Sequence, residues 1–321
     1  MYLNRRDFIK RVGKVSAGTG LALTGLPAFL SSCTNGNESG MFFDISLAEW
    51  SLNKPLFGGE LDNLDFPVKA RNDYDIGAVE YVNQFFKDKA NDAAYLKQLN
   101  QRAADHGVKN VLIMIDGEGG LGDLDDAQRN QAVENHYKWV EAAKELGCHS
   151  IRVNARGSGS EEEVKQAAID GLGKLSEFGA QHQIGVIVEN HGGYSSDGKW
   201  LAAVIEGVNN EYCGTLPDFG NFCIERKVDP QTNERTCANE YDRYQGVKEL
   251  MPYAKGVSAK SHDFNEQGNE IHTDYGKMLQ IVKDAGYNGY IGIEYEGSEL
   301  PPDQGIMATK DLLVRLGQEM S

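Results

Sequence analysis

The chain has 321 residues and a formal net charge of −16. A surface this acidic repels phosphate backbones, so nucleic acid is not expected as a partner. About 290 residues follow Cys33, a length that suits one large α/β barrel as well as it suits two domains.

Residues 1–33 read as an address rather than as part of a fold. Asn4-Arg5-Arg6-Asp7-Phe8-Ile9-Lys10 is a twin-arginine pattern, followed by an apolar stretch over 15–30. Gly18, Gly20, Gly25 and Pro27 break that stretch, which is too short and weak to span a membrane stably. It ends at Leu30-Ser31-Ser32-Cys33, which resembles a bacterial lipobox with its acylated cysteine; an ordinary signal peptide with a chance cysteine is the alternative. The expectation is an exported protein of the cell envelope or periplasm, lipid-anchored at Cys33 and otherwise free of the membrane. The polar run 34–40 then serves as a flexible tether. A twin-arginine route also suits a metal loaded in the cytoplasm before export. The leader carries four net positive charges, so the remainder is near −20.

From residue 41 to the end, short β-rich apolar runs recur at 42–47, 76–79, 111–115, 150–153, 184–188, 214–216, 256–259 and 290–293. Runs this short and unbroken suit strands buried on both faces, as in a parallel sheet. The segments between them have helical periodicity. Residues 91–106 place Tyr95, Leu96, Leu99 and Ala103 on one face, ending at Gly107, and 127–146 does the same through Val133, Val140 and Ala143. Ser160-Glu161-Glu162-Glu163 is a capping box, and behind it an apolar stripe runs as far as Gly179. No Gly-rich dinucleotide fingerprint opens any helix. Eight strand–helix alternations predict an α/β fold with a single (β/α)₈ TIM barrel over 41–321. One long polar segment, 221–244, interrupts the pattern as an excursion over the barrel mouth. Cys223 and Cys237 bracket it, and an exported protein can keep them bonded as a disulfide. Cys148 and Cys213 sit beside predicted strands and read as buried thiols.

Active sites of such barrels lie where the strands end. Those positions here are polar: Glu80-Tyr81, Asp116, Arg152 and Asn154, Glu189 and His191, Asp218 and Asn221, Lys260 and His262, Glu294 and Glu296. A carboxylate directly after a run of Val and Ile is costly to desolvate unless a cation meets it. Glu189, Asp218 and Glu294 converging with a histidine would make an oxygen-rich site for Mn²⁺, Mg²⁺, Co²⁺ or Zn²⁺. Trp50 and Tyr81 are placed to stack on a sugar ring.

The segments Val-Glu-Asn-His-Gly-Gly (188–193), Asp-Phe-Gly-Asn (218–221), Ala-Lys-Ser-His-Asp-Phe (259–264) and Gly-Tyr-Ile-Gly-Ile-Glu-Tyr-Glu-Gly (289–297) resemble the xylose isomerase-like barrels. These are the sugar phosphate isomerase/epimerase group that also includes AP-endonuclease-type enzymes, and the resemblance covers roughly residues 42–316. It implies that Glu189 and Glu294 hold a divalent metal and flank the substrate as catalytic groups, with Asp218 as a third ligand. The family's fourth ligand comes from His-x-Lys on strand seven, where this chain has Ser258 and Lys260. His262 lies four residues beyond Ser258 on the same strand face, about 13 Å further along. It is a fourth metal ligand only if that strand is shifted in register; otherwise water completes the shell. The family also often has a histidine where Asn221 stands, and His191 is the candidate for that polar work.

Such a site implies proton abstraction beside a sugar carbonyl, with a glutamate on each face of the substrate. Epimerisation, aldose–ketose isomerisation and breakdown of a 3-keto-glycoside by a lyase or hydrolase all begin that way, and a non-catalytic sugar-binding lipoprotein is the other alternative. Substrate contacts are expected from Trp50, Glu80, Arg152, Asn154, His191, Asn221, Lys260 and Glu296. Arg152 and Lys260 are the only basic residues placed at the mouth, so a neutral sugar or glycoside is expected rather than a sugar phosphate.

Overall fold

The computed structural model describes residues 40–228, 230–233 and 235–321. The expected signal segment with Cys33, and the tether apart from Gly40, lie outside the described residues. Ten strands follow in chain order: β1 (Asp44–Ala48), β2 (Ala78–Val82), β3 (Lys109–Met114), β4 (Ser150–Val153), β5 (Gly185–Glu189), β6 (Cys213–Leu216), β7 (Cys223–Val228), β8 (Arg235–Glu240), β9 (Val257–Ser261) and β10 (Tyr290–Tyr295). All but β7 and β8 form one parallel sheet in the order β6-β5-β4-β3-β2-β1-β10-β9. Its two ends meet through the parallel bridges Thr215↔Ala254 and Asp218↔Ser258. There Phe219 N–H donates to the Ser258 carbonyl at 3.1 Å and Ser258 N–H to the Pro217 carbonyl at 2.9 Å. The sheet is thus the (β/α)₈ barrel that the eight apolar runs predict.

The helices are α1 (Asn53–Phe57), α2 (Phe66–Tyr74), α3 (Ala93–Asp105), α4 (Asp126–Leu146), α5 (Glu161–His182), α6 (Gly198–Val208), α7 (Arg243–Leu250), α8 (Tyr275–Asp284) and α9 (Pro302–Glu319). Six of them start on a side chain that accepts backbone N–H groups: Asp92, Asp125, Ser160, Asp197, Asp242 and Asp274. The capping box at Ser160 and Glu163 is present. The apolar stripe behind it does not end the helix at Gly179. Helix α5 continues to His182 and turns at Gln183, φ +63°. Gly179 is a close-approach position instead, where a Cβ would lie 2.5 Å from the Ile184 carbonyl oxygen.

Strand residues alternate between two buried layers. Val79, Tyr81, Ile151, Val153, Val186, Val188, Ile291 and Ile293 face the helices and join the main core. Ala48, Ala78, Val82, Leu112, Met114, Ile187 and Leu216 form a smaller apolar cluster along the barrel axis. The same inward parity belongs to Ser46, Glu80, Arg152, Glu189, Ser258, Lys260, Gly292 and Glu294, all on strands of the barrel. Parity therefore corrects one expectation. Tyr81 is no stacking platform: it is fully buried on the helix side, with its hydroxyl donating to Asn110 Oδ1 at 2.7 Å and its ring against Phe66 and Phe86.

The excursion is an antiparallel hairpin of β7 and β8, with Arg226 opposite Cys237 and Val228 opposite Arg235. Cys223 and Cys237 are bonded, Cα to Cα 5.7 Å. Cys148 and Cys213 are free and buried, as expected.

Candidate active site

Three strand ends deliver the expected carboxylates to one point. Glu189 closes β5, Asp218 follows β6 and Glu294 lies in β10, all buried, with ligating oxygens within 4.8 Å of one another. Each is held by its own set of neighbours. Asn221 Nδ2 donates to Glu189 Oε1 at 3.0 Å. Arg152 Nε lies 2.8 Å from Glu189 Oε2, yet out of line, so that oxygen has no hydrogen-bond partner. Asp218 Oδ1 accepts the backbone N–H groups of Gly220 and Asn221, each at 2.8 Å. Asn190, fully buried, locks the loop after β5 to the loop after β6: its Oδ1 accepts Asp218 N–H at 2.7 Å and its Nδ2 donates to the Asp218 carbonyl at 3.0 Å. Ser258 Oγ sits 2.7 Å from Asp218 Oδ2 and 2.8 Å from Glu294 Oε2.

Two buried cations balance this charge. Lys260 Nζ stands 3.4 Å from Glu294, 3.4 Å from Glu296 and 3.8 Å from Asp218. Arg152 also meets Asp116 at 3.1 Å, and Asn154 Nδ2 donates to the same Asp116 oxygen at 2.7 Å. Burial pushes Glu189 up to about 7 against the pull of Arg152, with Glu294 adding to the rise. Burial likewise lifts Asp218 to about 7, against Lys260. In Glu294 burial works upward too, but Lys260, Arg152 and the Ser258 hydroxyl outweigh it and the group stays low. Without a metal the two catalytic candidates thus differ in direction, Glu189 being held above the ordinary carboxylate range and Glu294 below it. Burial drives His191 down to about 4, helped by Arg152 and Lys260, so its ring is neutral.

The residues fit a divalent cation. The site has three buried carboxylates in mutual reach, one carboxylate oxygen without a hydrogen-bond partner, and an all-oxygen donor set. A single Ser258 proton cannot satisfy two carboxylate oxygens at once, which leaves a place for a second proton or a cation.

His262 is a correction. Strand β9 is not shifted; it ends at Ser261, and Ser258 occupies the position beside Asp218 and Glu294. His262 lies beyond the strand, with its N–H donating to Glu270 Oε1 at 3.3 Å and its ring edge-on to His272, centroids 6.0 Å apart. Among the described residues no histidine joins the three carboxylates. Glu80 is a second correction. It lies inside the barrel, accepts from Ser46 Oγ at 2.6 Å and packs where a Cβ on Gly292 would come within 2.7 Å. Burial raises it to about 8, so it is a neutral floor group rather than a substrate contact.

Above the carboxylates a cavity of about 550 Å³ opens, lined by Trp50, Asp116, Arg152, Asn154, His191, Glu294 and Glu296 among others. Five of the eight expected substrate contacts therefore line it, while Asn221 and Lys260 act through the carboxylates. Trp50 shares the rim with Phe57 and Phe85. Asn154 Oδ1 and His191 Nδ1 are buried there without hydrogen-bond partners. Sequence reasoning missed His136 and Glu118 in this wall, both carried by or near α4. It also missed an adjoining cavity of about 380 Å³ whose wall includes Arg156, Arg226 and Arg235. The expected scarcity of basic groups at the mouth is thereby corrected. The hairpin that brings in Arg226 and Arg235 has no apolar run to announce it.

Solved structures share the fold. The zinc-bound IOLI protein superposes with a TM-score of 0.63 at 14% identity, covering 86% of this chain and 99% of its own. D-psicose 3-epimerase with D-tagatose, from Clostridium cellulolyticum H10, gives 0.64 at 10% identity with the same coverages. The E. coli 3-keto-D-glucoside 4-epimerase, in its apo form, gives 0.59 at 13% identity, again covering 86% and 99%. At these identities the likeness bears on fold alone. Comparison with curated proteins returned no match. The sequence profile of the xylose isomerase-like TIM barrel matches residues 68–316, so this chain belongs to that family.

Proposed function

We propose that the protein is a divalent-metal-dependent sugar isomerase or epimerase that moves a proton beside a carbonyl. The observation carrying this reading is the convergence of three buried strand-end carboxylates, Glu189, Asp218 and Glu294, with ligating oxygens within 4.8 Å of one another. Glu189, Asp218 and Glu294 would hold the ion, which supplies polarisation of the substrate carbonyl when bound. With oxygen donors alone, the set favours Mg²⁺ or Mn²⁺ over Zn²⁺ or Co²⁺. Glu294, kept ionised by Lys260, takes the proton from one face of the sugar. Glu189, oriented by Asn221 and Arg152, returns one from the other. Asn154 Oδ1 and His191 Nδ1 are free to meet sugar hydroxyls, and Trp50 offers a stacking face. Elimination from a 3-keto-glycoside begins with the same abstraction and is the alternative outcome. Export and a lipid anchor at Cys33 remain part of the proposal on the strength of the leader sequence.

Proton exchange tests it. With Mn²⁺ and a panel of keto-sugars and 3-keto-glycosides in D₂O, the protein should label a substrate C–H position. Glu189→Gln and Glu294→Gln should each lose about 10²–10⁴-fold in kcat. A metal-loaded protein that binds sugars yet labels none of them would be a binding protein.

A further inference from the structure

Arginines in this acidic chain generally find oxygen partners. Arg71, Arg102, Arg129, Arg152 and Arg243 each meet a carboxylate, and Arg315 meets the Asn269 amide oxygen. The exceptions are Arg156, Arg226 and Arg235, whose guanidiniums make no ion pair or hydrogen bond among the described residues. All three line the same cavity of about 380 Å³, together with His191, Gly192 and Gly193.

Their placement follows from the hairpin register. Arg226 stands opposite Cys237 and Arg235 opposite Val228. Residues two apart share a face, so Arg226 and Arg235 are diagonal neighbours on one side, with Lys227 on the other. Arg156 approaches from the loop after β4. Like charges held diagonally on this exposed face, with no carboxylate partner among the described residues, repel one another. A bound oxyanion reverses the sign, and a guanidinium fork matches one with two parallel hydrogen bonds. The Cys223–Cys237 bond fixes the residue directly across from Arg226, which keeps this edge of the pocket in place.

This cavity and the one above the carboxylates share Asn154, Arg156 and His191 in their walls. One ligand can therefore reach from the glutamates into the arginine pocket. We infer that the arginine pocket is an anion subsite, and that the substrate is an acidic saccharide whose carboxylate or sulfate ester lies between Arg156, Arg226 and Arg235. This deepens the sugar-enzyme reading and rests on it for the placement of the reacting ring.

Calorimetric titration of the full-length protein with methyl glucuronide, methyl glucoside 6-sulfate and methyl glucoside tests the subsite without needing turnover. At least one acidic ligand should bind about 10-fold or more tighter than the neutral one, with the advantage shrinking as salt rises. The preferred ligand tells carboxylate from sulfate. Inorganic sulfate should compete with it in the unmodified protein, a control independent of any variant. Arg226→Gln/Arg235→Gln, with its melting temperature confirmed, should abolish the preference. Equal affinity for neutral and acidic glycosides, or a preference untouched in that variant, would overturn the proposal. Acidic binding that depends on the arginines but brings no C–H exchange would leave the subsite standing and remove the isomerase reading. Exchange on neutral keto-sugars, indifferent to the arginines, would do the reverse.

Discussion

At Ser258 one hydroxyl meets two carboxylate oxygens, at the position where the sequence resemblance implies a histidine ligand. Oxygen there instead of nitrogen bears on metal choice, because imidazole favours the later transition metals and an oxygen set favours Mg²⁺ and Mn²⁺. Ser258→His should therefore raise affinity for Zn²⁺ or Co²⁺ relative to Mn²⁺, measured by competitive titration. His262→Ala should leave Mn²⁺ affinity unchanged, since His262 packs on His272 outside the cluster. Weaker Mn²⁺ binding in that variant would mean that the loop after β9 closes over the ion. The three carboxylates were legible in the sequence because each lies at the end of an apolar run, Glu189 and Glu294 directly after theirs and Asp218 one residue further on. His262 was misread because period-two parity was carried past the residue where the strand stops.

The elements divide by what drives them. All eight barrel strands overlap their apolar runs, since a strand buried on both faces is largely apolar outside the site at its end. Hairpin strands β7 and β8 are largely exposed and rich in charge, so neither periodicity nor hydrophobicity marks them. Only the bracketing cysteines pointed to an ordered excursion. Closing a loop of this size by a disulfide contributes about 3 kcal/mol in the chain-entropy picture. Here that stabilisation is local, because the hairpin buries little of itself in the barrel core. Cys223→Ser/Cys237→Ser should leave the main melting transition nearly in place while proteolytic nicking within 223–240 accelerates, read by mass spectrometry of the fragments. A fall in melting temperature as large as that of a barrel-core cavity mutant would show that the hairpin props the barrel itself.

For the whole molecule, buried acids make metal binding and stability depend on pH in linked ways. Without metal, Glu189 and Asp218 hold protons up to about 7 and Glu80 up to about 8, all raised first by burial. Unfolded, the same groups lose their protons near 4. The folded state thus binds more protons than the unfolded state across this range, and stability falls as pH rises. His149 and His191, driven by burial down to about 4, act with the opposite sign, chiefly below about 6.5. Their opposing contribution, joined by that of His136, fades as pH rises above about 6.5, so the acids dominate toward pH 8. The metal-free protein should lose up to about 1.4 kcal/mol per pH unit for each acid still titrating. A cation needs ionised carboxylates, so its affinity should rise over the same interval, by up to about ten-fold per pH unit for each proton released. Melting curves in EDTA and in Mn²⁺ should therefore diverge from pH 6.5 to 8, the first falling and the second holding level or rising. Parallel curves would mean that no proton leaves the cluster on metal binding, and that Lys260 and Arg152 alone keep the three carboxylates ionised.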